Sequence, residues 1–100
     1  MAATVYHICT LASWRAQKKT SYYQHESLLS EGFIHCCDLE QIDGVLDRYF
    51  QECVDLILLT INSELLVSDM LYEASPTGEK FPHVYGSIEK AAIVNIEKLR

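Results

Sequence analysis

The chain has 100 residues, enough for one small domain and too few for two. An apolar share of 49% with 22% charged residues belongs to a chain that buries a core and excludes the disordered class. A formal charge of −6 excludes bulk nucleic acid as the main partner, because there is no surplus of cations to displace condensed counterions.

The start, Met1-Ala2-Ala3-Thr4, leads into a β-rich segment with no basic opening or long apolar run, so no export signal is expected and the reading is cytoplasmic. The longest apolar stretch, residues 56–59, is far too short for a bilayer, so no membrane partner is expected. The four cysteines, Cys9, Cys36, Cys37 and Cys53, form no Cys-x-x-Cys motif and read as small buried hydrophobes.

Residues 4–9 predict an opening strand, with Val5, His7 and Cys9 on one face and Tyr6 and Ile8 on the other. Thr10 is placed to cap a short helix over 11–16. Arg15, Lys18 and Lys19 read as the solvated end of that helix, and residues 18–23 as a polar connector with two tyrosines. Residues 25–31 predict a short helix that Gly32 ends, with His25 on its exposed polar start.

Residues 33–37 then predict a short buried strand on which Phe33, His35 and Cys37 share one face and Ile34 and Cys36 the other. Asp38 and Gln41 have the spacing of a capping box. The helix they open carries Leu39, Ile42, Val45, Leu46, Tyr49 and Phe50 at the spacing of one apolar face. Residues 53–61 are apolar on both faces, as in a central strand. A turn with one helical turn follows at 62–66, then a strand at 70–73 and a turn cluster at 75–80. Residues 81–86, Phe-Pro-His-Val-Tyr-Gly, read as a rigid loop, residues 88–90 fit no single element, and 92–96 close the chain as a strand. The expected architecture is a single α+β domain over 1–100, with a mixed, mostly antiparallel sheet of about five strands and short helices.

Histidine stands beside bulky apolar residues three times, in Tyr6-His7-Ile8, Phe33-Ile34-His35 and Phe81-Pro82-His83. Imidazole titrates near neutrality and offers both a donor and an acceptor, so several meeting in one cleft can bind a polar ligand or move protons. The expectation is that His7, His35 and His83 converge with Tyr85 and Glu73 nearby. Glu73 reads as a general base, a ribose orienter or a rim carboxylate, and Ser27 as a helix-start hydroxyl. Cys36 faces away from His35 on its strand, which disfavours a thiol nucleophile. An alternative is a metal site on His7, His35 and His83 with an open position for water. Another is a non-catalytic domain that binds a nucleotide or other small molecule.

The segments Tyr6-His7-Ile8, Glu31-Gly32-Phe33-Ile34-His35-Cys36, Tyr72-Glu73 and Phe81-Pro82-His83-Val84-Tyr85-Gly86 occur in the order found in the domain of unknown function 952 family, which the chain resembles over nearly its whole length. The resemblance implies a split β-sheet similar to the ADP-ribosyltransferase superfamily, whose cleft binds NAD. The expected catalytic residues are His7, His35 and Glu73, with Ser27, His83 and Tyr85 binding the ligand; of these the resemblance assigns His7 and His35, and Glu73 is not equated with the superfamily's catalytic glutamate. By motif position His7 corresponds to the histidine that holds the nicotinamide-side ribose, and His35 to the one that contacts the ligand, as in RNA 2′-phosphotransferases. No basic cluster matches the residues with which those enzymes grip phosphate. The implied activity is transfer or processing of ADP-ribose, with NAD as substrate.

Overall fold

The computed structural model describes residues 4–100, and the reading of the first three residues as leaderless lies outside the described residues. The order is β1 (Thr4–Thr10), α1 (Leu11–Arg15), β2 (Tyr22–Tyr23), α2 (Ser27–Glu31), β3 (Ile34–His35), α3 (Ile42–Tyr49), β4 (Leu56–Asn62), β5 (Met70–Ala74), β6 (Lys80–Val84), β7 (Ile88–Glu89) and β8 (Ile93–Lys98). Instead of one sheet, the strands form three small ones, ordered β1-β4-β8, β3-β6-β5 and β2-β7. Every strand pair among the described residues is antiparallel, so the expected parallel component of the sheet is not found there.

β4 is the central strand of the β1-β4-β8 sheet, and its alternation feeds two cores. Ile57, Leu59 and Ile61 join Val5, Cys9, Tyr23, Ile34 and Val84 on one side. Leu56 and Leu58 join Ile8, Cys37 and Ile42 on the other. A strand with helices or a second sheet on both faces needs apolar residues at every position, which accounts for the unbroken run. The strand starts at Leu56 rather than at residue 53, because Asp55 takes a left-handed conformation (φ 55°) that the extended ladder cannot accommodate.

Local signals set several junctions. Thr10 accepts from the Ser13 N–H at 3.1 Å and opens α1. Gly32, at φ 92°, ends α2 and accepts the positive angle without a side-chain clash. The Asp38 N–H donates to Gln41 Oε1 at 2.8 Å, and the chain passes through one 3₁₀ turn into α3. Gln41 also donates to the Lys80 carbonyl at 2.8 Å, which ties this cap to β6.

Four local expectations are corrected. Leu39 and Tyr49 are 65% and 67% exposed, so the apolar face of α3 is narrower than the spacing suggests and rests on Ile42, Val45, Leu46 and Phe50. The connector at 18–23 ends in β2, whose Tyr23 is wholly buried. Residues 88 and 89 form β7, which pairs with β2, and Lys90 opens a 3₁₀ turn. Residues 80–84 are a strand and not a loop, despite Pro82. Pro82 is the register partner of Tyr72 in β5, and its carbonyl accepts from the Cys36 N–H at 3.0 Å just beyond the end of β3, so the missing proline N–H faces the side of β6 where the β3 ladder has ended. All four cysteines are unpaired. No described helix is long and apolar enough to cross a membrane.

Candidate functional site

The two larger sheets meet at β1 and the end of β3. Tyr6 and Cys37 exchange backbone hydrogen bonds of 2.8 and 2.7 Å, which sets β1 beside the Phe33–Cys37 segment. The side chains left facing outward at this seam, with α3 and the turn at 74–76, enclose a cleft of about 560 Å³. That volume lies in the range of small-molecule sites.

His35 and His83 are direct register partners across β3 and β6, so both side chains emerge on the same face. Their ring centroids are 5.4 Å apart at a steep angle. Phe33, two residues before His35 and therefore on its face, stacks on His83 at 4.0 Å. Each imidazole has its own carboxylate. His83 Nδ1 donates to Glu73 Oε1 at 2.8 Å, leaving Nε2 as the lone-pair nitrogen. His35 Nε2 lies 3.2 Å from both Glu31 oxygens, leaving Nδ1 in that role.

His7 also lines the cleft, but it is only 2% exposed and both ring nitrogens are engaged. Nδ1 donates to the His35 carbonyl at 2.6 Å, so Nε2 must accept from the Tyr23 hydroxyl at 2.9 Å. Burial lowers the His7 pKa from 6.5 to about 3, because the cation would lose its water with no carboxylate to replace it. This imidazole is therefore neutral and fixed in one tautomer.

The three histidines thus share one cleft, with His7 behind the other two. The metal reading needs correction on this geometry, since His7 has no free nitrogen to offer. Among the described residues no group of three or more His, Cys, Asp or Glu side chains is placed to hold a metal ion.

Glu73 and Tyr85 stand with His83 as a bonded set. The Tyr85 hydroxyl donates to Glu73 Oε1 at 2.5 Å. Hydrogen bonds from Tyr85 and then His83 hold the Glu73 carboxyl below the usual carboxylate range. The same bond to Glu73 raises the Tyr85 phenol. Ser27 is buried and does not line the cleft; its hydroxyl donates to the Phe33 carbonyl at 2.8 Å. Ser27 instead positions His25, whose Nδ1 accepts from the Ser27 N–H at 3.1 Å.

His25 is half-buried, lines the cleft and meets the edge of His7 at 5.2 Å, which corrects the expectation of an exposed residue. Burial, the largest influence, lowers its pKa. Its helix starts only at Ser27, so the position that reads as a solvated helix start is a turn folded over β1. Spacing does not pick out Tyr23, His25 or Glu31. Only Glu31 carries a signal, as the residue four before His35 on the other side of a glycine.

Cys36 and Cys37 reach the cleft wall, but burial pushes both thiols up, Cys37 to about 12. Neither supplies thiolate near neutral pH.

The family model described as a protein of unknown function (DUF952) matches residues 8–96, a span that contains all of this site except Tyr6 and His7. The chain belongs to the DUF952 family. Three solved structures of one protein, CC0527 from Caulobacter crescentus, resemble this DUF952 chain. Its crystal structure is 30% identical with a TM-score of 0.87, covering 97% of this chain and 86% of that one. Its solution NMR structure is 29% identical with a TM-score of 0.82, covering 98% and 85%. A double-methionine variant in crystalline form is 28% identical, again with a TM-score of 0.87 and the same coverage as the parent crystal structure. No curated protein matches the chain. The DUF952 fold is thus shared at nearly full length with CC0527.

Proposed function

We propose that the cleft is an enzyme site that binds an NAD-type nucleotide and transfers or processes its ADP-ribosyl group, in a domain similar to the ADP-ribosyltransferase superfamily. The observation that carries this reading is the facing pair His35 and His83, each held by a carboxylate and each turning a lone-pair nitrogen away from it. In the proposed step the bond between ribose C1′ and the nicotinamide nitrogen breaks, and nicotinamide leaves as a neutral molecule. An acceptor oxygen or water then attacks C1′, and its proton passes to the lone-pair nitrogen of His35 or His83. Glu31 and Glu73 stabilise the imidazolium so formed. His7 acts as a positioning residue, because its hydrogen bond to the His35 carbonyl holds the backbone that presents His35.

The test is an NMR titration of isotope-labelled protein with NAD, followed by product analysis after incubation. Saturable shifts of the His35 and His83 imidazoles, with slow release of nicotinamide that His35→Ala abolishes, are the expected result. Saturable binding with no nicotinamide released under any acceptor would make the domain a nucleotide-binding module. Unmoved imidazole signals at millimolar NAD would remove the nucleotide reading.

A further inference from the structure

The charge inventory of the cleft is one-sided. Phe33, Phe50, Phe81, Tyr6 and Tyr49 contribute ring surface to the wall. Glu31 lines it, and Glu73 stands directly behind His83. A second cavity of about 290 Å³ shares His25 and Phe50 with the first and adds the carboxylate Glu26 with the hydroxyls Thr10 and Ser13. Among the described residues no lysine or arginine lines either cavity. Arg48, whose guanidinium lies 5.9 Å from the Phe81 ring centroid, is paired with Glu79 and does not line the wall.

Protonation does not reverse this balance. His7 and His25 are both held toward the neutral form by burial. His35 and His83 are the imidazoles with carboxylate partners, and each protonated imidazole would be cancelled by its own partner, Glu31 or Glu73. A phosphate entering the cleft would give up its water and meet no uncompensated cation, which is unfavourable. A flat organic cation would meet ring faces and the Glu31 carboxylate, with Glu73 behind His83, the pairing that favours quaternary nitrogen in aromatic sites.

We infer that the cleft selects planar organic cations of the N-substituted pyridinium class and leaves phosphate groups outside. This rests on the reading of the cleft as an NAD-type site and names the part of the ligand that it holds. The nicotinamide ring of NAD is such a pyridinium. The pyrophosphate and adenosine contribute little to affinity, and the cationic nucleoside alone is a sufficient ligand.

Calorimetric titrations of the full chain with NAD, nicotinamide riboside, N-methylnicotinamide and ADP-ribose test the assignment. Nicotinamide riboside binds at least as tightly as NAD, N-methylnicotinamide binds measurably, and ADP-ribose, which keeps the phosphates and lacks the cation, does not. Glu31→Gln weakens the cationic ligands about two- to five-fold, the size of one half-exposed charge contact. Its circular dichroism stays unchanged, and neutral nicotinamide serves as the control whose binding does not respond.

If NAD and ADP-ribose bind while nicotinamide riboside does not, the inference is overturned and the nucleotide reading stands. If N-methylnicotinamide binds and NAD does not, the cation selectivity stands and the nucleotide reading falls. If none of the four binds, both fall.

Discussion

His7 Nδ1 donates to the main-chain oxygen of His35 at 2.6 Å, so the histidine of the first strand grips the backbone that displays the second. The two share a cleft but play different parts. His7 is sealed between Tyr23 and this carbonyl, while His35 is exposed to the cavity. Removing the first imidazole strands two polar groups at once. His7→Ala leaves the Tyr23 hydroxyl and the His35 carbonyl without this partner and opens a cavity, at a cost of about 2–4 kcal/mol. Urea unfolding of the variant checks it, and a loss below about 0.5 kcal/mol, the size of an ordinary surface change, would contradict the placement.

The same burial makes stability depend on pH. The unfolded chain protonates His7 near 6.5, and the folded chain only near 3. Between these values the unfolded state binds more protons, so stability is fully present above 6.5 and falls as the pH drops toward 3. The slope from this one group approaches about 1.4 kcal/mol per pH unit. Glu73, held below the usual carboxylate range, adds a loss in the same direction that sets in as the pH falls below its ordinary 4.5. Melting temperatures recorded from about pH 7 to about pH 4, which spans most of this window, should decline for the native chain and decline less for His7→Gln. Parallel curves for the two proteins would show that another group carries the dependence.

Glu73 is the common acceptor of His83 and Tyr85. Glu73→Gln weakens the hydrogen bond that raises the Tyr85 phenol and removes the charge behind it, and the phenol pKa moves down toward the ordinary tyrosine value. Carbon-labelled tyrosine followed through an alkaline NMR titration reads this directly. Because Tyr85 is exposed and the Glu73 carboxylate is reached by solvent, the melting temperature barely responds to the same substitution. An unmoved Tyr85 titration would mean that the bond does not persist in solution.

Gly86 closes the Phe-Pro-His-Val-Tyr-Gly segment against the loop before β5. A Cβ at this position would stand 2.2 Å from Ser68 Oγ and 2.9 Å from Ser68 Cβ, and Ser68 Oγ is itself bonded to the Ser87 carbonyl at 3.0 Å. Gly86→Ala therefore destabilises the fold by about 1–3 kcal/mol. Adding Ser68→Gly removes both clashing atoms and restores part of the loss. A double-mutant cycle in thermal unfolding gives the answer, and strictly additive losses would mean that the two residues do not touch.

Local rules acting over a few residues are legible in the chain itself. Gly32 ends a helix, Asp38 and Gln41 cap the next, and the unbroken run at 56–61 goes to a strand covered on both faces. The alternation on 33–37 also puts Phe33 and His35 together, because a strand allows no other arrangement of successive side chains. Pro82, Tyr23 and His25 escape these rules for one shared reason. Whether a proline fits a strand depends on where the neighbouring strand stops, and whether a tyrosine or histidine is buried depends on what lies across from it.

The pairing of His83 with His35 and of His7 with the His35 carbonyl joins residues far apart in sequence. Composition and spacing determined an acidic α+β chain with three histidines in apolar settings. Only the tertiary structure decided that two of them face each other across a cleft while the third is buried as their support, because hydrogen-bond partners and burial are set by contacts between strands that sequence periodicity does not encode.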